Sequence, residues 1–300
     1  MSKILVSGLI NTETTVKVHK FPIDYYPIDY SFFGISTNIS GVAYNIVSAL
    51  KSFNDEVVFV SMMGNDMIAE QIENALKSRD VSTENISKTL RATPSSVVLY
   101  DDEGKRQIYC DLKDIQEQKY ICNDKIFEGC DIVVACNINF NRDLLKKAKE
   151  NKKIVATDVH VLENIDDEYN QDFMQYADIL FLSDERLPEP PKDFIKRLAD
   201  KYGNRIIVLG QGSKGALMYV NDEKKFYDMP CVKNDNIINT VGAGDALFSS
   251  FIHFYSKGMT PVECLKRAQI FASYKIGFNG ASIGFMDEDM LEQSYKSIYN

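Results

Sequence analysis

Asp245 stands directly after Gly242, Ala243 and Gly244 in the stretch INTVGAGDALFSSFIHFYSKG, residues 238–258. Three small residues make a tight turn, and the apolar residues that follow recur at helical spacing. A Gly-rich turn at a helix start offers an anion free backbone N–H groups and the positive end of the helix dipole. A fixed carboxylate in that first turn repels a phosphate unless it has a task of its own, and accepting a proton is such a task. An alcohol becomes a better nucleophile as its proton passes to a positioned Asp, while the turn steadies the charge on a transferred phosphoryl group. The pattern therefore fits phosphoryl transfer to a hydroxyl. It fits equally an Asp that only caps the helix, and the turn alone leaves the two readings level.

The elements that must carry this turn are legible as alternating strands and helices. KILVSGLI, EVVFVSMMG, DIVVACN, KIVATDV, ILFLS and RIIVLG are near-continuous apolar runs, as strands buried on both faces require. GVAYNIVSALKSF, DMIAEQIENALKSR, RDLLKKAKEN and KDFIKRLADKYG carry apolar residues at helical spacing between them. This alternation predicts an α/β fold with a mostly parallel sheet, whose ligands bind outside the C-terminal ends of the strands. Two segments break the rhythm. Residues 14–36 alternate, hold two prolines and lack a helical period, and residues 95–112 place two β-rich runs around Asp101-Asp102-Glu103-Gly104, a hairpin signal. They read as strands of a small sheet outside the core, or else as irregular surface loops. GALMYVNDEKKFYDM reads as a further hairpin, and LPEPP at 187–191 as punctuation before a helix. No internal repeat or low-complexity linker is present.

The 300 residues allow one large domain with at most a small appendage, and 45% hydrophobic with 26% charged residues is ordinary for a globular chain. A net charge of −9 disfavours nucleic acid and anionic membrane surfaces as partners. No secretory leader and no membrane-length apolar run is expected. The six cysteines contain no C-x-x-C pair and read as reduced thiols of a cytoplasmic protein. His19, His160 and His253 lie far apart and show no metal-site spacing.

NTVGAGD, residues 239–245, resembles the D-T-x-G-A-G-D signature of the ribokinase-like, or PfkB, carbohydrate kinases, with five residues at the fixed positions. SGVAYN keeps Gly41 and Asn45 of that family's Gly-Gly-x-x-x-Asn, with Ser40 for the first glycine. GLINTE resembles its G-x-x-N-x-D, with Asn11 kept and Glu13 in place of Asp. The likeness runs in order from residue 3 to about 284. It implies a three-layer α/β/α core over residues 1–12, 37–92 and 115–300, with a small β-lid from 13–36 and 93–114 over the substrate site. It implies Asp245 as catalytic base, an anion hole from the amides around Gly242, Ala243 and Gly244, and substrate contacts from Asn11, Glu13, Gly41 and Asn45. GSKGA, residues 212–216, resembles the family's nucleotide loop, so Gly212, Lys214 and Gly215 are candidates for ATP binding, with Thr240 and with Gln269 in place of an asparagine near the adenine. Gly280, Ala281 and Ser282 fall on a loop that closes the nucleotide pocket and, in several members, helps hold a monovalent cation such as K+. The family's Asn-x-x-Glu aligns with SDER, residues 183–186, where Ser183 and Arg186 replace the amide and the carboxylate. Arg186 is then a candidate phosphate contact, Glu185 a candidate metal-organising group, and the magnesium arrangement is left open.

The resemblance implies ATP- and Mg2+-dependent phosphorylation of a small sugar, ribose- or fructose-like. A nucleoside kinase of the same fold is the alternative, since Tyr25, Tyr26, Tyr30, Phe32 and Phe33 offer rings on which a base could stack. The same cluster also reads as the lid's own small core, or as a lid-to-lid contact of a homodimer. A sugar phosphate is less supported, because the lid's Lys17, Lys20, Lys105 and Arg106 are scattered. A non-catalytic binder is a further alternative, against which an intact Asp245 argues.

Overall fold

The computed structural model describes residues 2–299. In chain order they form β1 (Lys3–Ser7), β2 (Asn11–Lys17), β3 (Ile35–Ser40), α1 (Val42–Ser52), β4 (Glu56–Met62), α2 (Met67–Lys77), β5 (Ile86–Ser87), β6 (Ser95–Tyr100), β7 (Arg106–Asp111), β8 (Ile132–Ala135), α3 (Arg142–Glu150) and β9 (Ile154–Val161), then α4 (Gln171–Tyr176), β10 (Ile179–Ser183), α5 (Pro191–Tyr202), β11 (Ile206–Gly210), β12 (Ala216–Val220), β13 (Lys225–Met229), α6 (Ala243–Ser256), α7 (Pro261–Lys275) and α8 (Glu288–Tyr299).

The apolar runs assemble into a nine-stranded sheet of order β13-β12-β11-β10-β9-β8-β1-β4-β5. It is parallel from β5 to β11, and the β12–β13 hairpin adds two antiparallel pairings at one edge. Side chains alternate across it. Ile4 and Val6 join the core under α1, α2, α6, α7 and α8, while Leu5 joins the core under α3, α4 and α5. The result is the three-layer arrangement expected of strands apolar on both faces. Helix α6, which begins with the Gly-rich turn, is fixed to the sheet by Phe248 and Phe251. Their rings meet Phe181 of β10 at 4.8 and 5.3 Å between centroids. Replacing Phe251 by Ala would cost ~3–5 kcal/mol, the usual price of such a cavity, and would loosen the helix that carries Asp245.

The two irregular stretches form a separate four-stranded sheet of order β3-β2-β6-β7. β2 pairs antiparallel with β3 and parallel with β6, and β6 pairs antiparallel with β7. The hairpin turn is held by Asp101, whose Oδ1 accepts from the N–H groups of Glu103 (3.0 Å) and Lys105 (2.9 Å), with Gly104 at φ +80°. The sheet is joined to the core at Thr93, whose N–H and hydroxyl both donate to the Asp66 carboxylate, each at 2.8 Å. The same carboxylate caps α2 by accepting from Ala69 N–H at 2.9 Å.

Residues 18–34, between β2 and β3, form neither helix nor strand. Their aromatic cluster does not form a core, contrary to one of the sequence expectations: Tyr25, Tyr30, Phe32 and Phe33 are each more than 70% exposed. Only Tyr30 and Phe32 stack on each other, at 6.2 Å. Two prolines and a run with no opposing apolar layer leave these rings nothing to pack against.

Candidate active site

The Gly-rich turn, the start of α1 and the start of β2 converge at the C-terminal edge of the parallel strands. β2 leaves the end of β1 after three residues. α1 is preceded by its N-cap Gly41, where φ is +106° and a Cβ would lie 2.5 Å from the Leu9 carbonyl oxygen. Only glycine lets the first turn of α1 come this close to the segment joining β1 to β2. That approach brings Asn45, one turn into α1, to Asp245.

Asn45 Nδ2 donates to Asp245 Oδ2 at 2.7 Å. The Asp245 side chain makes no cap bond to its own helix, whose N-cap is Gly242. The carboxylate is thus held from outside by an amide that leaves its other oxygen open, and the capping alternative has no hydrogen bond to support it. Ser40 extends the chain of contacts: its Oγ lies 3.5 Å from Asn45 Oδ1 and 3.4 Å from Glu13 Oε2. Asn11 donates from Nδ2 to Ser96 Oγ at 3.1 Å, and its buried Oδ1 has no partner among the described residues. Asn11, Glu13, Ser40, Asn45 and Asp245 therefore line one continuous polar strip from the small sheet to the base of α6.

The turn itself is tightly built. Gly242 has φ +81°, and a Cβ there would sit 2.8 Å from the Ala281 carbonyl oxygen, so Ala281 packs directly on it. The N–H of Ala243 donates to Thr240 O at 3.2 Å, whereas the N–H groups of Gly242, Gly244 and Asp245 have no acceptor among the described residues. The amides left open to an anion are thus those of 242, 244 and 245, while that of 243 is taken by Thr240.

Burial sets the electrostatics. It pushes the Asp245 carboxyl above the usual carboxylate range; the Asn45 hydrogen bond, His160 and Lys275 pull it back, and Asp158 adds to the rise. Burial also raises the Glu13 carboxyl, against the Ser40 hydroxyl and Lys275. The Lys275 ammonium is drawn down by burial to about 8. The sequence reading did not assign Asp158, His160 or Lys275 to the site. Asp158 and His160 close β9 at the sheet's C-terminal edge, where the Asp158 carboxylate accepts from His160 N–H at 2.7 Å and His160 has φ +59°. An acid and a histidine at the end of an apolar run were a usable signal, given where such sheets bind ligands. Lys275 left none, because a lysine in the last turn of a helix reads as an exposed dipole partner.

The nucleotide candidates follow β10 and β11, precede α6 and sit on α7. Gly215 has φ +107° and a Cβ there would sit 2.0 Å from the Met229 carbonyl oxygen. Lys214 and Thr240 are exposed, and Gln269 is buried with Nε2 unpaired among the described residues. Arg186 follows β10 at φ +62°, exposed, and donates from Nη1 to Glu163 Oε1 at 2.9 Å. Ser183 Oγ accepts from Glu185 N–H at 3.2 Å. Among the described residues no three His, Cys, Asp or Glu side chains gather as a metal cage.

A mostly parallel nine-stranded α/β sheet with a separate four-stranded sheet is a ribokinase-like architecture. A putative ribokinase from Agrobacterium tumefaciens shares that fold with a TM-score of 0.87 at 19% identity, over 99% of this chain and 98% of its own. Residues 1–288 match the pfkB family carbohydrate kinase profile, and the chain belongs to that family. It is similar to the fructosamine kinase FrlD of Bacillus subtilis, 24% identical over 265 residues, 86% of this chain and 89% of that one. It is similar also to a nucleoside kinase of Methanocaldococcus jannaschii, 23% identical over 271 residues, 88% and 87% of the two chains. No described helix is long and apolar enough to cross a membrane.

Proposed function

We propose that this kinase uses ATP to phosphorylate a hydroxyl of a small free sugar or sugar-derived polyol. The observation that carries the proposal is the strip Glu13–Ser40–Asn45–Asp245, with the buried, unpaired Asn11 Oδ1 beside it. Carboxylates, carboxamides and hydroxyls at hydrogen-bonding distance match a polyol group for group, and a ligand that leaves them unpaired is rejected strongly. Asp245 takes the proton of the attacking hydroxyl while Asn45 fixes its second oxygen. The amides of Gly242, Gly244 and Asp245 face charge that develops on the phosphate. Gly212, Lys214, Gly215, Thr240 and Gln269 hold the nucleotide, with Arg186 swinging from Glu163 to the phosphates. ATP with Mg2+ would supply the phosphoryl group and the charge neutralisation there. The small sheet acts as a lid that brings Asn11, Glu13 and Ser96 onto the acceptor. Its exposed aromatic loop suits contact with a second copy better than a base slot, because no ring is folded inward against another layer.

The test is ADP release with MgATP over a matched panel of free sugars and nucleosides. The best acceptor by kcat/KM is expected to be a pentose, hexose or polyol. A nucleoside that exceeds every sugar by more than about tenfold, or about 1.4 kcal/mol in transition-state binding, would make the nucleoside reading correct. Binding of ATP with no acceptor phosphorylated would leave a non-catalytic binder.

A further inference from the structure

Lys275 is the last residue of α7 and has no exposed surface. Its Nζ has no hydrogen-bond partner among the described residues. A buried ammonium without an acceptor is costly unless opposite charge lies close by. Helices α6 and α7 form a hairpin closed by a short turn, so the end of α7 lies beside the start of α6. The loop before α6 is tied to the same place, since the N–H groups of Ile238 and Asn239 both donate to the Ile276 carbonyl oxygen, at 2.8 and 3.1 Å. Asp245 sits in the first turn of α6, and Glu13 reaches the region from β2. These two carboxylates are the charges that act on Lys275.

We infer that Lys275 is a positioning residue for phosphoryl transfer, a buried counter-ion that keeps Asp245 and Glu13 ionised. It cannot touch the acceptor, because none of its surface is open, and so it acts through the two carboxylates. This role depends on Asp245 serving as the base. A base must be ionised to accept a proton, and Glu13 must be ionised to accept hydrogen bonds from two hydroxyls at once. Burial drives both acids toward the neutral form, and the Asn45 amide offsets only part of it. The other charged and titratable groups facing Asp245 are Asp158 and His160 at the end of β9 and the buried Cys136 thiol after β8. Asp158 opposes ionisation, and His160 helps only when it is protonated. Lys275 is the fixed cation of the set. Burial brings its own ionisation to about 8, so the charge is present through neutral pH and is lost above that value.

The test is carbon-13 NMR of the full chain labelled at aspartate Cγ, with Asp245→Asn assigning the Asp245 signal. In Lys275→Met the Asp245 carboxyl is expected to titrate about one pH unit or more above its wild-type midpoint, the scale of a lost neighbouring charge. Lys275→Arg should hold it near the wild-type value. An unmoved midpoint in a folded Lys275→Met protein overturns the role. If Lys275→Met does not fold, lysine Cε labelling of Asp245→Asn gives the reciprocal measurement, with Lys275→Arg assigning the peak. The Lys275 midpoint should then fall below about 8, and an unchanged midpoint overturns the role as well. Turnover of Asp245→Asn reports separately on whether Asp245 is the base.

Discussion

Replacing Asp245 by Asn removes the proton acceptor and little else. The amide keeps the shape of the side chain, and its oxygen can still accept from Asn45 Nδ2, which now lies 2.7 Å from the carboxylate. Losing a positioned general base costs on the order of 10²–10⁴ in kcat, or ~2.7–5.5 kcal/mol of barrier. The effect on stability has a definite sign. The folded state raises the Asp245 carboxyl above its ordinary range, net of the help from Asn45, His160 and Lys275. The folded chain therefore holds this proton to higher pH than the unfolded chain does. The stability lost by ionising this partly buried acid is zero below the unfolded value near 3.8, and it is complete above the raised value. A neutral isostere escapes that loss, so Asp245→Asn should melt at the same or a higher temperature at pH 7, and the difference should vanish near pH 3. An Asp that capped α6 would behave oppositely, since removing a cap lowers stability by ~1 kcal/mol. The assays are ADP release with the best acceptor, calorimetric ATP binding, and thermal melts at pH 7 and pH 3. Turnover within a few-fold of wild type, or a clear drop in melting temperature at pH 7, would refute the assignment of Asp245 as base.

Gly242→Ala should fold yet lose activity by ~10²-fold or more, because its Cβ would meet the Ala281 carbonyl oxygen at 2.8 Å in a backbone conformation that L-residues avoid; near-normal kcat would mean that the turn is not the anion site. Arg186→Ala should raise the KM for ATP more than that for the acceptor, with a negligible change in melting temperature, since its pair with Glu163 is exposed; an unchanged ATP KM returns 183–186 to an ordinary surface turn. Asp66→Ala should cost ~1–2 kcal/mol by removing the α2 cap and the two bonds from Thr93. Although burial opposes it, the Thr93 and Ala69 amides hold the Asp66 carboxyl below its usual value, so this margin is present above about pH 4 and is lost as the pH falls below it, which urea denaturation at pH 7 and pH 3 would show.

The sequence by itself determined the layered core, because a parallel strand covered on both faces must be apolar throughout and its returning helices must be apolar on one stripe. It also determined the hairpin at 101–105 and the turn at 242–245, where local chemistry dictates the backbone: Asp101 and Gly104 in one case, and a glycine at positive φ in the other. The role of Asp245 could not be read locally, since cap and base have the same one-dimensional pattern. The fold adds a hydrogen bond from Asn45, 200 residues away in the chain, which favours the base reading. Tertiary structure alone placed Asp158, His160 and Lys275 beside the site, because a charge takes its function from the burial and the neighbours that the fold gives it. The same holds in reverse for Tyr25, Tyr30, Phe32 and Phe33. Apolar rings read as core only where the fold sets another layer against them, and the loop between β2 and β3 leaves them on the surface.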